Sequence, residues 1–357
     1  MTGSAHGSAS EYSQYREVAT RTDTGEPVLI PRRRRLTSIP RALAALVGVF
    51  ALTFSPWSGL AQSEPAASSW SSGAYLGTYG NRPAAEKFAA YRGQDLAIVS
   101  VFLERSTWDA LRNDTWGVER YAGFPGRLSV AVPLIPTNES TTLGAIANGT
   151  HDDDFVQIAR NLVAHKRGDA DIRLGWEFNG DWYGWSAWDP KSFVAAYRRV
   201  AKIFRQESPA FTLDWNGNAV QSASGHDPFT ESYPGDDVVD VVGVDAYDWA
   251  DNAITDGESF SRWRDQPHGI AAWLSFARAH HKPLAIPEWG VVGGTDGQGD
   301  NPAYIRGMYE FFQQNRPDIA YEAYFNQQAS LANSLIDPVQ MPASSAVYAE
   351  LWHRAGR

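Results

Sequence analysis

The sequence predicts a single-domain α/β protein, a closed (β/α)8 TIM barrel, and three observations carry that expectation. Eight strand-like runs alternate with helix-like stretches between residues 74 and 355. Several of the runs are apolar at successive positions rather than at every second one, the pattern of parallel strands covered on both faces. The stretch 74–357 also matches the size of such a barrel, typically about 250 residues and often more. Alternating strands and helices imply a parallel sheet, and eight of them imply closure.

In chain order, residues 74–79 read as the first strand and 84–91 as a helix. The run LAIVSVFL at 96–103 is the second strand, followed by a helical stretch at 107–116, and RLSVAVPL at 127–134 is the third strand. Residues 152–165 have a helical period and begin with three aspartates, which suit the positive end of a helix dipole. Residues 171–177 form the fourth strand. Asp189 and Pro190 open a helix that runs to Phe204, with an aspartate at the cap and a proline in the first turn. Residues 211–215 are the fifth strand. The connection 216–237 is long, rich in Gly and Ser, and has no clear helix. The sixth strand is 238–245 (VVDVVGVD), the seventh 283–288 and the eighth 319–326; helices are expected at 270–280, 302–314 and 343–352. There is no internal repeat and no second domain.

The first sixty residues have a different character. Residues 1–31 are polar and expected to lack fixed structure. Arg32, Arg33, Arg34 and Arg35 then precede an apolar stretch at 42–54. About thirteen residues suit the core of a signal peptide better than a membrane span, which needs about 20. Small residues at Gly59 and Ala61 fit cleavage after Ala61; the alternative is an uncleaved anchor. The expected organisation is therefore a polar region plus signal peptide or anchor at 1–61, a linker at 62–73 and the barrel at 74–357, in a secreted monomer with no stable membrane association after cleavage. The pair Arg33-Arg34 also resembles a twin-arginine export signal, against the simpler reading of a basic leader.

The chain contains no cysteine, which excludes disulfides, thiolate catalysis and cysteine metal sites. On removal of residues 1–61, Lys and Arg fall from 31 to 24 and Asp and Glu from 41 to 37, a net charge of about −13. That balance argues against nucleic acid and anionic membrane as partners and suits a neutral ligand.

The richest stretch is RLGWEFNGDWYGWSAW at 173–188. One carboxylate, Glu177, stands among Trp176, Trp182, Trp185, Trp188 and Tyr183. Apolar surroundings raise a carboxyl pKa and keep its proton near neutral pH, and flat rings offer a stacking face to a pyranose. The plain alternative is a loop carboxylate beside core aromatics. A second acid, Glu288 in KPLAIPEWG, follows 111 residues later. The expected strands put Glu177 at the end of the fourth and Glu288 at the end of the seventh, on the same carboxyl-terminal rim. Two carboxyl groups across a sugar-sized gap cleave a glycosidic bond, with retention of configuration at a separation of about 5–5.5 Å. Arg173, four residues before Glu177, is expected on the same side of the strand, where it either ionises a carboxylate or forms a structural ion pair.

These residues together resemble glycoside hydrolase family 26, of the clan of (β/α)8 retaining glycosidases. The resemblance lies in Arg173, then Glu177, Asn179 and Gly180, then Trp182, Tyr183 and Trp185. It continues through Tyr233-Pro234-Gly235-Asp236, Val239-Asp240 and Gly243-Val244-Asp245-Ala246-Tyr247 to Lys282, Pro283, Glu288, Trp289 and Gly290. It implies Glu177 as acid/base, Glu288 as nucleophile and Tyr247 as hydrogen-bond donor to the nucleophile. It also implies a polysaccharide or oligosaccharide substrate, β-1,4-mannan first among them, and no cofactor or metal. Trp182 and Trp185 are the expected sugar platforms; for Trp188 and Trp289 core packing is the stronger expectation.

Two departures stand out. Trp176 occupies the position before the acid/base where the family usually has histidine, and Pro287 the position before the nucleophile where a small or hydroxylic residue is usual. An endo-β-1,3- or mixed-linkage glucanase is the alternative activity that Trp176 favours, and a non-catalytic carbohydrate-binding barrel is the alternative of another class. Asp152, Asp153 and Asp154, the loop from Asp296 to Asp300, His226 and Glu104 are weaker candidates, each with a structural explanation: capping, a flexible loop, a solvated histidine and a rim carboxylate. Asp214 and Glu322, within strands, read as structural.

Overall fold

The computed structural model describes residues 70–357 apart from 220–221, 329–330 and 356–357. The expected leader and most of the linker lie outside the described residues. No helix among the described residues is long and apolar enough to cross a membrane.

Eight strands close a parallel barrel in sequence order: β1 (Ser71–Tyr75), β2 (Ile98–Phe102), β3 (Arg127–Val132), β4 (Asp171–Leu174), β5 (Thr212–Asn218), β6 (Val241–Asp248), β7 (Leu284–Val291) and β8 (Ile319–Phe325). β1 pairs with β8 from Ser71↔Tyr321 to Tyr75↔Phe325, which completes the ring. The expected helices are present, including α1 (Arg82–Arg92), α5 (Asp152–Ala164), α6 (Pro190–Glu207), α9 (Ile270–Ala279), α10 (Pro302–Gln314) and α11 (Pro342–Ala355). The stretch 107–116 resolves into two short helices, α2 (Trp108–Asn113) and α3 (Trp116–Glu119). Helices α4 (Leu143–Asn148), α7 (Pro228–Glu231) and α8 (Gly257–Arg264) had no clear sequence signal. Each is short, so its hydrophobic period completes too few turns to read.

Strand boundaries differ from expectation at the functional end. β4 stops at Leu174, three residues before Glu177, whereas β5 runs on to Asn218 and β6 to Asp248. β7 continues past Glu288, which therefore lies inside the strand. Pro287 is accordingly mid-strand, and it has no N–H for the ladder. The register shifts against both neighbours here, between Gly243 and Ala246 on the β6 side and between Ile286 and Trp289 on the β8 side. Irregularities of this kind re-aim side chains next to active sites, and here Glu288 is the residue re-aimed.

The outer faces of the strands pack against the helices through a continuous apolar core that includes Ile172, Leu213, Val242, Ile286 and Trp289. Glu322 belongs to this layer. It is fully buried and accepts hydrogen bonds from Trp289 (2.6 Å), Trp352 (3.1 Å) and the Ser72 hydroxyl, joining β1, β7, β8 and α11. The barrel interior is unusually polar. Tyr321 donates to Asp214 (2.9 Å) and meets Ser129 (3.1 Å), while Arg127 at the open lower end stands 3.3 Å from Asp171.

Burial pushes the carboxyls of Asp171 and Asp214 up to about 7. In the unfolded chain both lose their protons near pH 4. Between those values the folded form holds more protons, so stability falls as pH rises from about 4 to about 7. The melting temperature is expected to be higher at pH 5 than at pH 8 by roughly 5 °C or more. Asp214→Asn should flatten that dependence. A melting temperature that is level or rises over this interval would contradict the assignment.

Candidate active site

At the end of β4 the chain turns sharply, with both Gly175 and Glu177 at φ +53°. A glycine takes this conformation freely; a glutamate pays of order 1–3 kcal/mol for it. The surroundings hold Glu177 there. Its N–H donates to Asn216 O (2.8 Å) and its carbonyl accepts from Gly180 N (3.0 Å). The expected alignment of Arg173 and Glu177 along one strand face therefore does not occur, because the chain leaves the strand between them.

Asn218 on β5 donates to Glu177 Oε1, and Trp182 donates to Oε2 at 2.9 Å. Asn179 fixes Asn218 from two sides, donating to its carbonyl (2.9 Å) and accepting from its N–H (2.8 Å). Gly180 permits the approach of Trp182: a Cβ there would stand 2.4 Å from the indole ring. Glu177 is almost fully buried. Burial first, then the negative charge of Glu288, raises its carboxyl to about 7, against the lowering effect of Asn218, Trp182 and the charge of Arg173. Glu177 is thus an acid that keeps its proton up to neutral pH.

Glu288 has the opposite environment. Arg173 donates to Oε1 and the Tyr247 hydroxyl to Oε2 at 2.8 Å. The guanidinium of Arg173 also donates to Asp245 (2.9 Å) and Asn216 (2.7 Å), and is wholly buried. Burial opposes its charge, yet the charges of Asp245 and Glu288 outweigh that, and it is held above its ordinary value. A carboxylate between a fixed cation and a phenol has a hydrogen-bond donor on each oxygen. The two acids therefore differ in their neighbours as well as in position.

The aromatics divide in a way the sequence did not foretell. Trp182 is half-buried and, besides any stacking, holds the acid. Trp185, an expected sugar platform, is buried: it stacks on Tyr183 at 4.3 Å and donates to Trp176 O at 2.8 Å. Trp176 is buried too, with its indole N–H given to Tyr183 (3.1 Å) and its ring against Phe102 and Trp185. Trp289 lies in the core against Trp352. Trp188, expected to pack, is 58% exposed instead. Asn216, Asn218 and Asp245 complete the site without having been singled out for a role. Their signal was the polar alternation Asp214, Asn216, Asn218 in β5, obscured because that strand was expected to end at Trp215.

The weaker candidates lie elsewhere or serve the scaffold. Asp152 pairs with Arg199 (2.6 Å), and Asp154 with His151 (2.9 Å) and Arg112 (3.3 Å). Asp300 caps the start of α11 through Ala343 N and Ser344 N, both at 2.7 Å. His226 pairs with Glu231 (2.9 Å), and Glu104 binds the N–H groups of Arg105 and Ser106. Among the described residues no group of three metal-ligating side chains converges.

The family model for glycosyl hydrolase family 26 matches residues 154–262, a stretch that contains Arg173, Glu177 and Tyr247 and stops short of Glu288. Over that stretch the chain resembles glycosyl hydrolase family 26. It is 27% identical over 251 residues to Endoglucanase H of Acetivibrio thermocellus, covering 66% of this chain and 26% of that protein. It is 26% identical over 213 residues to a mannan endo-1,4-beta-mannosidase of Bifidobacterium adolescentis, covering 56% and 20%. The chain thus spans about a quarter of the length of these curated relatives. Among solved structures, the modular endo-beta-1,4-mannanase of Cellulomonas fimi has a TM-score of 0.59 at 17% identity, covering 79% of this chain and 70% of the other. A Bacillus subtilis mannanase has a TM-score of 0.57 at 16% identity, covering 81% and 87%. At these identities the structural likeness speaks for the barrel fold alone.

Proposed function

We propose that this family 26-like hydrolase cleaves a β-linked polysaccharide by double displacement, with β-1,4-mannan as the leading substrate. The single observation that carries the mechanism is the contrast between two neighbouring acids: Glu177 buried with a proton held to about pH 7, Glu288 clamped by Arg173 and Tyr247. In the first step Glu177 gives its proton to the glycosidic oxygen while a Glu288 oxygen bonds to the anomeric carbon, and the leaving sugar departs as an alcohol. In the second, Glu177 takes a proton from water, the water oxygen bonds to the anomeric carbon, and the bond to Glu288 breaks. No metal or organic cofactor enters either step. Mannanases among the relatives support the choice of mannan. A mixed-linkage or β-1,3-glucan is the second reading. It is supported by the relative named an endoglucanase and by Trp176, which fills a position expected to be polar and commits its only N–H to Tyr183. The basic run and apolar stretch before residue 62 support export.

A reducing-sugar assay of residues 62–357 on mannan, galactomannan, lichenan, laminarin, xylan and arabinan tests the reading. Release from mannan identifies the leading substrate, release only from a glucan the second, and release from none of them contradicts the hydrolase reading. Because Glu177 must be protonated to act, kcat/KM is expected to fall as pH rises through about 7. Trp182→Phe removes a hydrogen bond that favours the ionised form, so this alkaline limb should move upward in pH. An unmoved or lowered limb would assign it to another group.

A further inference from the structure

We propose that Tyr79 and Trp116 form a second carbohydrate-binding platform on the barrel rim, which holds a distal part of the polysaccharide whose cleavage Glu177 and Glu288 carry out. The proposal rests on the hydrolase reading for its ligand, a neutral β-linked hexose chain, but not for its geometry. Tyr79 is 76% exposed and Trp116 45%. A ring kept for packing buries itself, since large aromatics contribute most when removed from water. Among the described residues three aromatic side chains are strongly exposed: Tyr79, Trp116 and Trp188. They stand in the segments that follow β1, β2 and β4, on the end of the barrel where the two acids lie.

The pair is also built before any ligand arrives. The rings meet edge to face, with centroids 5.9 Å apart and planes at 89°. The Arg120 guanidinium lies 4.5 Å over Trp116, donates to Gly80 O at 2.7 Å and also donates to Tyr79 O. One arginine thus fastens the loop that carries Tyr79 to the indole beside it. Asp114 ties Trp116 N (3.0 Å) to Glu104 N (2.7 Å), just past β2. Rigid aromatic surface of this kind binds at low entropic cost, and its apolar faces match the C–H faces of a pyranose.

A buried aromatic cluster links the loop that carries Tyr79 to the site. Tyr247, which touches Glu288, lies 5.8 Å from Phe325, and Phe325 stacks on Tyr75 at 4.3 Å. The Tyr75 hydroxyl meets Thr78 Oγ1 at 3.4 Å, one residue before Tyr79. Four residues of chain put the Cα atoms of Tyr75 and Tyr79 no more than about 14 Å apart. The pair thus lies on the same rim as the acids, at a separation that several hexose units in sequence would bridge.

The test compares the wild type with the Tyr79→Ala/Trp116→Ala double variant, both with an intact melting transition. In a Glu288→Gln background, which removes turnover, affinity electrophoresis in galactomannan and in mixed-linkage glucan reads binding alone. Retardation is expected to weaken about fivefold in the double variant. With Glu288 present, kcat/KM on the polymer should fall by a similar factor, while a short chromogenic glycoside that fills only the site beside the acids is turned over unchanged. Unchanged retardation, retardation by neither polymer, or equal losses on short and long substrates would overturn the platform. So would a dimer in sedimentation that the double variant abolishes, which would assign the pair to contact between copies. Polymer binding that needs the pair, in a wild type without turnover, would instead retain the platform and sink the hydrolase reading.

Discussion

Glu288→Ala is expected to lower kcat on the polysaccharide by at least about 10⁴-fold, the scale seen when a covalent nucleophile is removed. The protein should remain folded. Arg173 keeps its bonds to Asp245 and Asn216 after the truncation, so its charge is not left alone in the barrel. Breaking a buried pair outright costs about 3–5 kcal/mol; with Asp245 retained the cost should be smaller, a drop in melting temperature of a few degrees. Activity and stability must therefore be measured on the same preparation. A folded variant with unimpaired turnover would remove Glu288 from the mechanism. A variant that fails to fold would be replaced by Glu288→Gln, which keeps the shape and an acceptor for Arg173.

Glu177→Ala is expected to be nearly as severe on the polymer, about 10²–10⁴-fold, because the leaving sugar then departs without a proton. Its signature differs. An aryl glycoside with an acidic leaving group needs little protonation, so the ester on Glu288 should still form and then accumulate for lack of a base. Azide can enter the vacated space, bond to the anomeric carbon and release Glu288, giving a glycosyl azide with the configuration of the substrate. The alkaline limb near pH 7 should also vanish, since the group that causes it is gone. Absence of rescue together with a product of inverted configuration would exclude the double displacement, although both carboxyl groups would still belong to the site.

Much of this protein was legible in the chain. Continuous apolar runs such as LAIVSVFL specify strands covered on both faces, and their alternation with helical periods leaves few topologies other than a closed parallel barrel. Such patterns are local, and burial acts on them one residue at a time. Glu177 drew attention for a related reason, since a carboxylate embedded in aromatics is conspicuous because burying it is costly, and Glu288 because the strand order set it on the same rim. Tyr247 likewise stands where the motif placed it, donating to Glu288.

What the chain left undetermined depends on contacts between distant segments. Whether a tryptophan faces a sugar or the core was not readable from RLGWEFNGDWYGWSAW, where all four look alike. Tyr183 covers Trp185, Trp176 turns inward, Trp188 stays in water and Trp182 bonds the acid, because the positive φ angles at Gly175 and Glu177 redirect the chain. The polar column of Arg173, Asn216, Asp245 and Asp214 forms only when β4, β5 and β6 are paired. The different surroundings of the two acids are likewise a tertiary result. Burial and the charge of Glu288 keep the proton on Glu177, while Arg173 and Tyr247 donate to Glu288, and these neighbours arrive from strands far apart in the chain.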